Sequence, residues 1–376
     1  MYRIVHVTGY YIDTMSYQEN IFPAAQKKIG NSVYIITSSY FPDFVSNPKD
    51  CKQVSLRNSV PVIRIKGFFH IKNKLPFFLV SIKLLKRLNP DIVFVHDSTP
   101  NIILVVLYKL LFNKKMFIQI DFHSEVGKDN IRLLGRVYHF FYKILYKIVN
   151  SQINQVFGVG PECVEFAKNV YGFRSDKVSL LPLPSTPSKF SKIEMKSFKI
   201  FFDKEYRNHS SDIILVHSGK LPGRKRTFEL LEAFNNSKNV NLVLVIVGKI
   251  SKKLSRKIID ISNRKRVYYY GWASTQEILK IYHSSDLMIQ PGSLSHSFVD
   301  AISCGLPIVL DDTPQGRYLT NFGNGVIIDG SSTDEIQKLL NKLDSYFISE
   351  LKSQSEKIVN KFNGENIARI SLNHLK

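Results

Sequence analysis

Short apolar runs alternate with longer amphipathic stretches along almost the whole chain. Runs of about four to eight apolar residues predict buried strands, whereas apolar residues that recur every three or four positions predict helices. Alternation of the two indicates parallel sheets with helices on both faces. The predicted strands are residues 4–8, 33–37, 62–65, 91–96, 115–120, 156–159, 178–181, 213–217, 242–248, 267–270, 286–290, 306–310 and 326–328. The predicted helices are residues 17–29, 75–88, 100–112, 136–150, 161–170, 227–234, 251–261, 274–283 and 333–347.

The alternation is interrupted between residues 182 and 200, where proline and serine are frequent. This composition is typical of loops and linkers, and we expect it to separate two domains. A chain of 376 residues has the length of two α/β domains. We therefore predict an α/β protein with two doubly wound, Rossmann-like domains over residues 1–185 and 201–355, followed by a helical segment over residues 356–376.

One candidate site lies between residues 290 and 309. A Pro-Gly pair ends the predicted strand 286–290, and Ser293 or Ser295 can cap the helix that follows. Free backbone N–H groups and the helix dipole make such a strand–turn–helix unit a binding site for anions. Asp300, about one turn further on, can accept hydrogen bonds from sugar hydroxyls. The predicted nucleoside-diphosphate site consists of Gly292, Ser293, Leu294 and Asp300.

A second candidate anion site is the turn from Gly219 to Arg226, which follows the first predicted strand of the second domain. The turn carries four cations, Lys220, Arg224, Lys225 and Arg226. Because these like charges repel one another, their clustering indicates an anion among them. A solvated basic loop is the alternative interpretation.

In the first domain, polar residues follow predicted strands at the edge where parallel sheets bind ligands. These residues are Gly9, Tyr17, Gln18, Glu19, Asp121 and His123. An imidazole in this position can hydrogen-bond a sugar hydroxyl, although His123 could equally be structural. Ordinary helix capping is the alternative to ligand contact for Gln18 and Glu19.

The net charge of +21 indicates an anionic partner, which could be nucleic acid, membrane lipid or a phosphorylated substrate. A generally basic proteome would account for part of the excess. No segment resembles a nucleic-acid-binding module, so we expect no nucleic acid and favour an anionic membrane surface together with phosphorylated substrates. The three cysteines lack metal or redox spacing, and no apolar run suggests a signal peptide or spanning helix. We therefore expect a cytoplasmic protein.

The predicted helix 136–150 is rich in both aromatic residues and cations. Its apolar residues spread too widely for one stripe that faces a core. A basic aromatic amphipathic helix can lie in a bilayer interface. A packed helix whose lysines extend to solvent fits the pattern equally well.

The order and spacing of these segments resemble the family 4 retaining glycosyltransferases. The Gly219–Arg226 turn is similar to the family's Gly-Arg-Leu-x-x-x-Lys-Gly motif, with Lys220 and Lys225 at its two cationic positions and Arg226 in place of the last glycine. Residues 290–309 are similar to the family's donor-site signature, in which a Pro-Gly or Pro-Ser loop leads into a Glu-Ala-x-x-x-Gly-x-Pro helix.

Many members of that family carry two glutamates eight positions apart in this signature. Asp300 stands at the second position, and Gly292 replaces the first. The resemblance also places His123 beside the transferred sugar and the Gly271-Trp272 pair at the nucleotide base. Plain packing is the alternative for Trp272.

The resemblance implies a GT-B arrangement of two domains that face a cleft. The first domain would bind the acceptor, the second the nucleotide sugar, and residues 356–376 would cross back to the first. We expect a hexose from a UDP- or GDP-sugar to be moved to a lipid-linked saccharide, as in the assembly of bacterial capsule or O-antigen lipopolysaccharide at the inner face of the cytoplasmic membrane. His123, Lys220 and Lys225 are the expected catalytic residues.

Two cations and a helix N-terminus can stabilise the leaving diphosphate. We therefore expect no metal and no other cofactor, and retention by attack on the same face of the sugar. Two alternatives remain at this stage. A nucleotide-sugar epimerase of the same architecture would need further carboxylates, and a non-catalytic sugar-nucleotide-binding or scaffold subunit would explain the missing first acid.

Overall fold

The described residues of the computed structural model are 1–12, 17–41, 54–57, 60–71, 75–124, 133–221, 223, 225–293 and 295–375. They divide into two units. Unit 1 contains Met1–Pro184 together with Gly364–Lys376, and unit 2 contains Ser185–Asn363. Each unit is an α/β layer structure around a mainly parallel sheet, as the alternation of apolar runs and amphipathic stretches predicts.

Unit 1 is built on an eight-stranded sheet. Its strands are β1 (Arg3–Thr8), β2 (Ser32–Ser38), β3 (Val54–Arg57), β4 (Val60–Ile65), β7 (Ile92–His96), β8 (Phe117–Phe122), β9 (Gln155–Gly158) and β10 (Val178–Leu180). Their order is β10-β9-β8-β7-β1-β2-β4-β3, and all pairs are parallel except that of β3 with β4. The strands β5 (Phe69–Ile71) and β6 (Leu75–Phe77) form a separate antiparallel pair. The strand order therefore reverses between the parallel strands β1 and β7, where open sheets of this kind bind ligands.

The helices of unit 1 are α1 (Gln18–Lys28), α2 (Ile82–Leu88), α3 (Asn101–Phe112), α4 (Leu133–Val149), α5 (Pro161–Asn169) and α14 (Gly364–Leu372). One large core cluster contains Val93 and Ile118 from the sheet together with Val105 from α3 and Tyr146 from α4. The returning helix α14 packs against α1. Its first residue must be small, because a Cβ atom on Gly364 would lie 2.9 Å from the Cβ atom of Ala25.

Unit 2 is built on six parallel strands. They are β11 (Ile213–Lys220), β12 (Leu242–Lys249), β13 (Val267–Gly271), β14 (Leu287–Gln290), β15 (Ile308–Asp311) and β16 (Gly325–Ile328). The order β13-β12-β11-β14-β15-β16 is the 3-2-1-4-5-6 order of a dinucleotide-binding sheet. The helices are α6 (Lys192–Tyr206), α7 (Thr227–Asn236), α8 (Lys252–Ser262), α9 (Thr275–Ser284), α10 (Ser297–Ser303), α11 (Pro314–Thr320), α12 (Thr333–Lys342) and α13 (Ser345–Lys357).

Two of the predicted helix boundaries are wrong. The predicted helix 75–88 starts only at Ile82, because Leu75–Phe77 is a strand and the Ser81 hydroxyl caps the helix by accepting from Leu84 N. The predicted helix 333–347 is two helices, and the second begins after Asp344, whose carboxylate accepts from Phe347 N.

The stretch 182–200, predicted to be a linker, is only partly irregular. Helix α6 begins at Lys192, where Ser191 and Glu194 form a capping box. The Pro/Ser pattern therefore ends earlier than predicted, at a signal typical of helix N-termini. The segment before α6 belongs to unit 2, where the backbone N–H of Lys189 donates to Gln276 Oε1 at 2.6 Å.

Candidate active site

The two predicted anion sites of unit 2 come together at the reversal in strand order. The turn 219–226 follows β11 and the loop 291–296 follows β14, and these strands are neighbours. In doubly wound sheets, ligands bind at the carboxyl ends of the two strands that flank this point. The sheet topology thus unites segments that lie about seventy residues apart in the sequence.

Lys225 joins these two segments. Its side chain is buried, and its Nζ donates to Ser293 O at 2.6 Å and to Ser295 Oγ at 3.1 Å. With its carboxamide turned to satisfy both neighbours, Gln290 accepts from the same Nζ at 2.8 Å and donates to Ser218 O at 3.1 Å. An ammonium group has three protons, so these three oxygens match its capacity. A phosphate oxygen that binds Nζ must therefore compete with the loop.

Backbone geometry beside Lys225 requires glycine at the ends of two neighbouring strands. Gly219 and Gly248 have φ angles of 129° and 131°, a region that favours glycine. A Cβ atom on Gly248 would lie 1.9 Å from Gly219 O, and one on Gly219 would point to Lys225 Cε at 3.6 Å. Only glycine fits at both positions, and their close approach fixes the ends of β11 and β12.

The remaining cations of the turn have different surroundings. Lys220 is the last residue of β11, exposed and in register with Lys249. Arg226 adopts a left-handed conformation with φ 52°, and its Nη1 lies 3.4 Å from Asp311 Oδ1 and 3.8 Å from Asp329 Oδ1. The sequence missed these two acids as partners of Arg226. Arg224 and Leu294 lie outside the described residues.

Helix α10 starts later than predicted, so neither Ser293 nor Ser295 caps it. The residue before the helix is His296, and no side chain caps the helix. Ser295 Oγ instead contacts Ser297 Oγ at 2.6 Å besides accepting from Lys225. Gly292 and Ser293 therefore belong to a loop that Lys225 holds, and not to a helix N-terminus.

Asp300 is buried and already has hydrogen-bond partners. Its Oδ1 accepts from Thr186 N at 2.7 Å, and its Oδ2 accepts from Thr186 Oγ1 at 3.2 Å. The Nε2 atom of His296 lies 3.3 Å from Oδ1. A buried carboxylate requires such donors. Sequence reasoning missed Thr186, because it lies in the stretch predicted to be a linker. A ribose hydroxyl must share or replace these contacts.

The predicted base-binding pair lies at one edge of the sheet. Gly271 ends β13 with a φ angle of 92°, and β13 pairs only with β12. Two strand spacings separate it from β11, which corresponds to about 10 Å. Trp272 is 67% exposed, so plain packing does not explain it.

His217 is a buried residue that sequence reasoning overlooked. Its Nδ1 lies 2.9 Å from Ile289 O and its Nε2 lies 2.9 Å from Thr227 Oγ1. Burial lowers its pKa to about 4, and the charge of Lys225 adds to this, while the hydrogen bond to Ile289 opposes it. The neutral ring thus connects β11 to β14 and to the start of α7, beside the Lys225 ammonium group.

Unit 1 brings together three of the predicted acceptor-side residues. Gln18 Nε2 donates to Asp121 Oδ2 at 2.9 Å, and His123 Nε2 lies 3.8 Å from Asp121 Oδ1. Gln18 is buried, whereas the His123 side chain is 34% exposed. Asp121 is buried within β8. The sequence-based prediction placed it in the loop after that strand, which is wrong.

Two further groups complete the environment of Asp121. His96 Nδ1 lies 2.9 Å from Asp121 Oδ2, and Asp97 N donates to Asp121 Oδ1 at 3.1 Å. Burial alone would raise the pKa of Asp121, but the charge and hydrogen bond of His96 outweigh it and lower the pKa. Burial likewise opposes charge on His96, whereas Asp121 raises its pKa. Sequence reasoning missed His96, which is the last residue of a buried strand.

The other first-domain residues occupy the start of α1 and the end of β1. The carbonyl of Gly9 accepts from Thr37 Oγ1 at 3.4 Å. Tyr17 precedes α1 without a side-chain cap, and Glu19 lies in its first turn. The interpretation of Gln18 as a helix cap is therefore wrong, because its side chain donates to Asp121 instead. Within the described parts of the chain, no group of three or more histidine, cysteine or acidic side chains is arranged to hold a metal ion.

Comparison with known families identifies both halves of the chain. Residues 24–188 match the model of Glycosyltransferase Family 4, and residues 198–347 match that of Glycosyl transferases group 1. A chitobiosyldiphosphodolichol beta-mannosyltransferase of Candida albicans is 24% identical over 273 residues, which is 65% of this chain. The match spans only 58% of that protein's length.

Solved structures share the fold over the full length. A glycosyltransferase of Rickettsia africae has a TM-score of 0.71 at 15% identity and covers 99% of this chain and 98% of its own. Anabaena HepE in complex with UDP-glucose has a TM-score of 0.69 at 14% identity and covers 100% and 99%. The chain thus has the fold of glycosyltransferase structures, with residues 24–188 similar to Glycosyltransferase Family 4 and residues 198–347 similar to Glycosyl transferases group 1.

Proposed function

We propose that this glycosyltransferase moves a hexose from a UDP- or GDP-sugar to a lipid-linked saccharide, with retention of anomeric configuration and without a metal. We further propose that the reaction belongs to bacterial surface polysaccharide biosynthesis, of the capsule or O-antigen type. The observation that carries the proposal is the position of Lys225. This lysine links the turn 219–226 and the loop 291–296 at the strand-order reversal of unit 2.

The leaving group of this reaction is a nucleoside diphosphate, so catalysis consists mostly of stabilising negative charge on the β-phosphate. Fixed cations and backbone N–H groups provide such stabilisation. Lys225 is held beside the Gly219 backbone, and Lys220 stands at the end of the same strand. We assign these two lysines to the diphosphate, Asp300 to the ribose and the exposed face of Trp272 to the base.

The acceptor-side assignment has two supports. In unit 1, Gln18 and Asp121 are hydrogen-bonded to each other, and His123 stands next to them with part of its ring exposed. The Candida relative is named for mannosyl transfer to a saccharide on diphosphodolichol. A lipid-linked saccharide with a diphosphate is therefore the acceptor class that we propose, with His123 at the hydroxyl that attacks.

We also propose a peripheral position at the inner face of the cytoplasmic membrane, and attachment to a membrane is supported by the outer face of α4. Its inner face packs in the core through Tyr142, Leu145 and Tyr146. Its outer face exposes Val137, Phe140, Phe141, Ile144 and Ile148, and the neighbouring α3 exposes Ile103, Leu107, Leu110, Leu111 and Phe112. Arg136 and Lys147 are exposed on the same helix. Apolar and basic residues together favour an anionic lipid surface.

None of the described helices has both the length and the hydropathy needed to cross a bilayer. The proposed attachment is therefore the shallow type, in which side chains reach the boundary between headgroups and acyl chains.

A nucleotide-binding screen followed by a turnover assay tests the proposed function. UDP or GDP should raise the melting temperature of the protein, and the matching nucleotide sugar should release its nucleoside diphosphate when no acceptor is present. EDTA should leave this release unchanged. Absence of both nucleotide stabilisation and nucleotide release for every common UDP- and GDP-hexose would sink the proposal in favour of a non-catalytic subunit.

A further inference from the structure

A continuous series of buried polar side chains runs through unit 1 from the returning helix α14 to Asp121. We call it the histidine relay, and its members in order are Ser371, Gln26, His6, His96 and Asp121. All five are more than nine-tenths buried. Successive atoms are 3.2 Å apart (Ser371 Oγ and Gln26 Nε2), 2.6 Å (Gln26 Oε1 and His6 Nε2), 2.9 Å (His6 Nδ1 and His96 Nε2) and 2.9 Å (His96 Nδ1 and Asp121 Oδ2).

The hydrogen bonds of the relay, together with a neutral His6, determine where its protons lie. The Ser371 hydroxyl donates to Ala368 O at 2.8 Å, so its oxygen accepts from Gln26 Nε2. Gln26 therefore presents its carbonyl oxygen to His6, and the proton between them is on His6 Nε2. The opposite nitrogen of a neutral His6 can only accept, so His96 Nε2 carries a proton. Because His96 Nδ1 faces a carboxylate, both nitrogens of His96 are protonated.

The electrostatic surroundings favour the same arrangement. Burial lowers the pKa of His6 to about 3, with a further contribution from His96 that the Gln26 hydrogen bond only partly offsets. Burial also opposes charge on His96, but the charge and hydrogen bond of Asp121 outweigh it, and Glu19 and Asp97 add to the effect, so the pKa of His96 is raised. The titratable groups that face His96 are thus His6 from β1, Asp121 from β8, Glu19 from α1 and Asp97 after β7. One ring is neutral and its neighbour is an imidazolium.

We propose that His96 is a positioning residue for the acceptor side, because as the doubly protonated member of the relay it fixes the Asp121 carboxylate, which holds Gln18 and stands beside His123. The inference rests on the proposed function, since it takes Gln18, Asp121 and His123 as the acceptor side. Gln18 Nε2 is committed to Asp121, and Gln18 Oε1 is buried with no hydrogen-bond partner among the described residues. In this proposal, the unpartnered oxygen is the group that accepts from a hydroxyl of a bound saccharide.

A substitution at Gln26 tests the relay without touching the residues assigned to the acceptor. Gln26→Glu places a carboxylate at His6 Nε2, which makes His6 compete with His96 for the shared proton. The matched control is Gln119→Glu. Gln119 is equally buried and also donates to Ser371, through the backbone oxygen at 2.8 Å, but it does not contact either histidine.

The first measurement is ¹⁵N NMR of the histidine rings at pH 7. In the wild-type protein, His96 should show two protonated nitrogens and His6 a proton on Nε2 alone. In Gln26→Glu, the imidazolium signals should shift towards His6, whereas Gln119→Glu should keep the wild-type pattern. A singly protonated His96 in the wild-type protein overturns the proposal, even where a variant fails to fold.

The second measurement is UDP release from UDP-glucose by the full-length protein. In this reaction water takes the place of the acceptor hydroxyl next to His123, so it depends on the same positioned groups. Gln26→Glu should lower turnover about tenfold, because small displacements of positioned groups are costly, and should leave the Kd of UDP unchanged. Gln119→Glu should stay within about twofold of wild type, because the hydrogen bond described for Gln119 goes to the Ser371 backbone and not to His6 or His96. An equal loss of turnover in both variants would show that His96 has a structural role only. A wild-type protein that releases no UDP from UDP-glucose or GDP from GDP-mannose would instead defeat the proposed function, and the positioning role with it, while the NMR spectra still decide the proton arrangement.

Discussion

Both sheets reverse their strand order at the carboxyl ends of neighbouring parallel strands, but the charges at the two sites differ. In unit 2, the edge gathers Lys225, Lys220 and the glycine backbone, which together leave an excess of positive charge. In unit 1, the edge gathers His96 and Asp121, whose opposite charges cancel within a buried pair. A diphosphate needs the first environment, and a sugar hydroxyl needs fixed hydrogen-bonding groups without net charge. The comparison teaches that a few side chains at the carboxyl ends of the strands give each unit its own electrostatic environment.

The strongest way to break this comparison is to remove the buried cation of unit 2. Lys225→Ala should lower turnover by about a hundred- to a thousandfold, as loss of one group that stabilises an oxyanion does. Steady-state release of UDP from UDP-glucose measures this, and the exposed Lys249 in the neighbouring strand supplies the control Lys249→Ala.

A second variant separates charge stabilisation from anchoring of the loop 291–296. Ser295→Ala removes one of the oxygens that bind Lys225 Nζ but leaves the cation in place. Its effect should be several times smaller than that of Lys225→Ala. Equal losses in the two variants would show that Lys225 acts by holding the loop and not on the diphosphate.

The second prediction extends the comparison from the site of unit 1 to its outer surface. The protein should sediment with vesicles that contain anionic lipid and not with neutral ones, and raised salt should weaken this binding. Combined replacement of Arg136, Lys143 and Lys147 by glutamate should reduce binding at least about a hundredfold, since each cation near such a surface contributes about 1 kcal/mol. UDP release should change little. Binding to neutral vesicles, or indifference to the triple change, would argue that the outer face of α4 has another partner.

A third prediction concerns the carboxylate of unit 2, which, unlike Asp121, is held by a neighbouring threonine. Asp300→Ala should weaken nucleotide binding by about 1.5–3 kcal/mol, the range for hydrogen bonds to a charged group. Thr186→Val removes only the hydroxyl that donates to Asp300 and measures the structural share. Calorimetric Kd values for UDP that are equal in both variants would assign Asp300 to the fold alone.

The smallest predicted effect is on the pH dependence of the free energy of unfolding, to which His6 and His217 contribute with the opposite sign to His96. The pKa values of His6 and His217 are lowered to about 3 and about 4, below the 6.5 of the unfolded chain. The unfolded state therefore binds more protons, so stability falls as pH falls below about 6.5. At pH 5, each of these residues should cost about 2 kcal/mol relative to neutral pH, since one pKa unit corresponds to 1.36 kcal/mol.

His96 should act in the opposite direction. Its pKa is raised, so its contribution is complete below pH 6.5 and is lost as pH rises through its folded value. Urea titrations at pH 7 and pH 5 measure the balance. The variant His217→Gln should remove about 2 kcal/mol of the acid sensitivity, and an unchanged difference between the two pH values would contradict the neutral state of His217.

The sequence predicted most of the fold because strand and helix patterns are local. A continuous apolar run such as residues 242–248 is typical of a parallel strand that is buried on both faces. The observed strand β12 occupies Leu242–Lys249. Boundaries failed where a short capping signal outweighed the apolar pattern. Ser81 and Asp344 each start a helix inside a stretch predicted as one.

Individual residues of the candidate site could be predicted from the sequence, but the contacts between them could not. Gly219, Lys225 and Ser293 each stood out, yet only the pairing of β11 with β14 brings them together. Thr186 and His96 left no local signal, because a hydroxyl in a Pro/Ser stretch and a histidine at a strand end have many ordinary uses. Their partners are 114 and 25 residues away, and pairings over such distances depend on tertiary structure.

The return of α14 to unit 1 has a consequence for synthesis of the protein. Ser371, the relay member that comes last in the sequence, is translated only after the whole of Ser185–Asn363. At translation rates of about 5–20 residues per second, roughly ten to forty seconds pass between completion of the first segment of unit 1 and arrival of its final helix. During that interval Gln26 lacks the partner that orients it, so the nascent chain can complete unit 2 before unit 1.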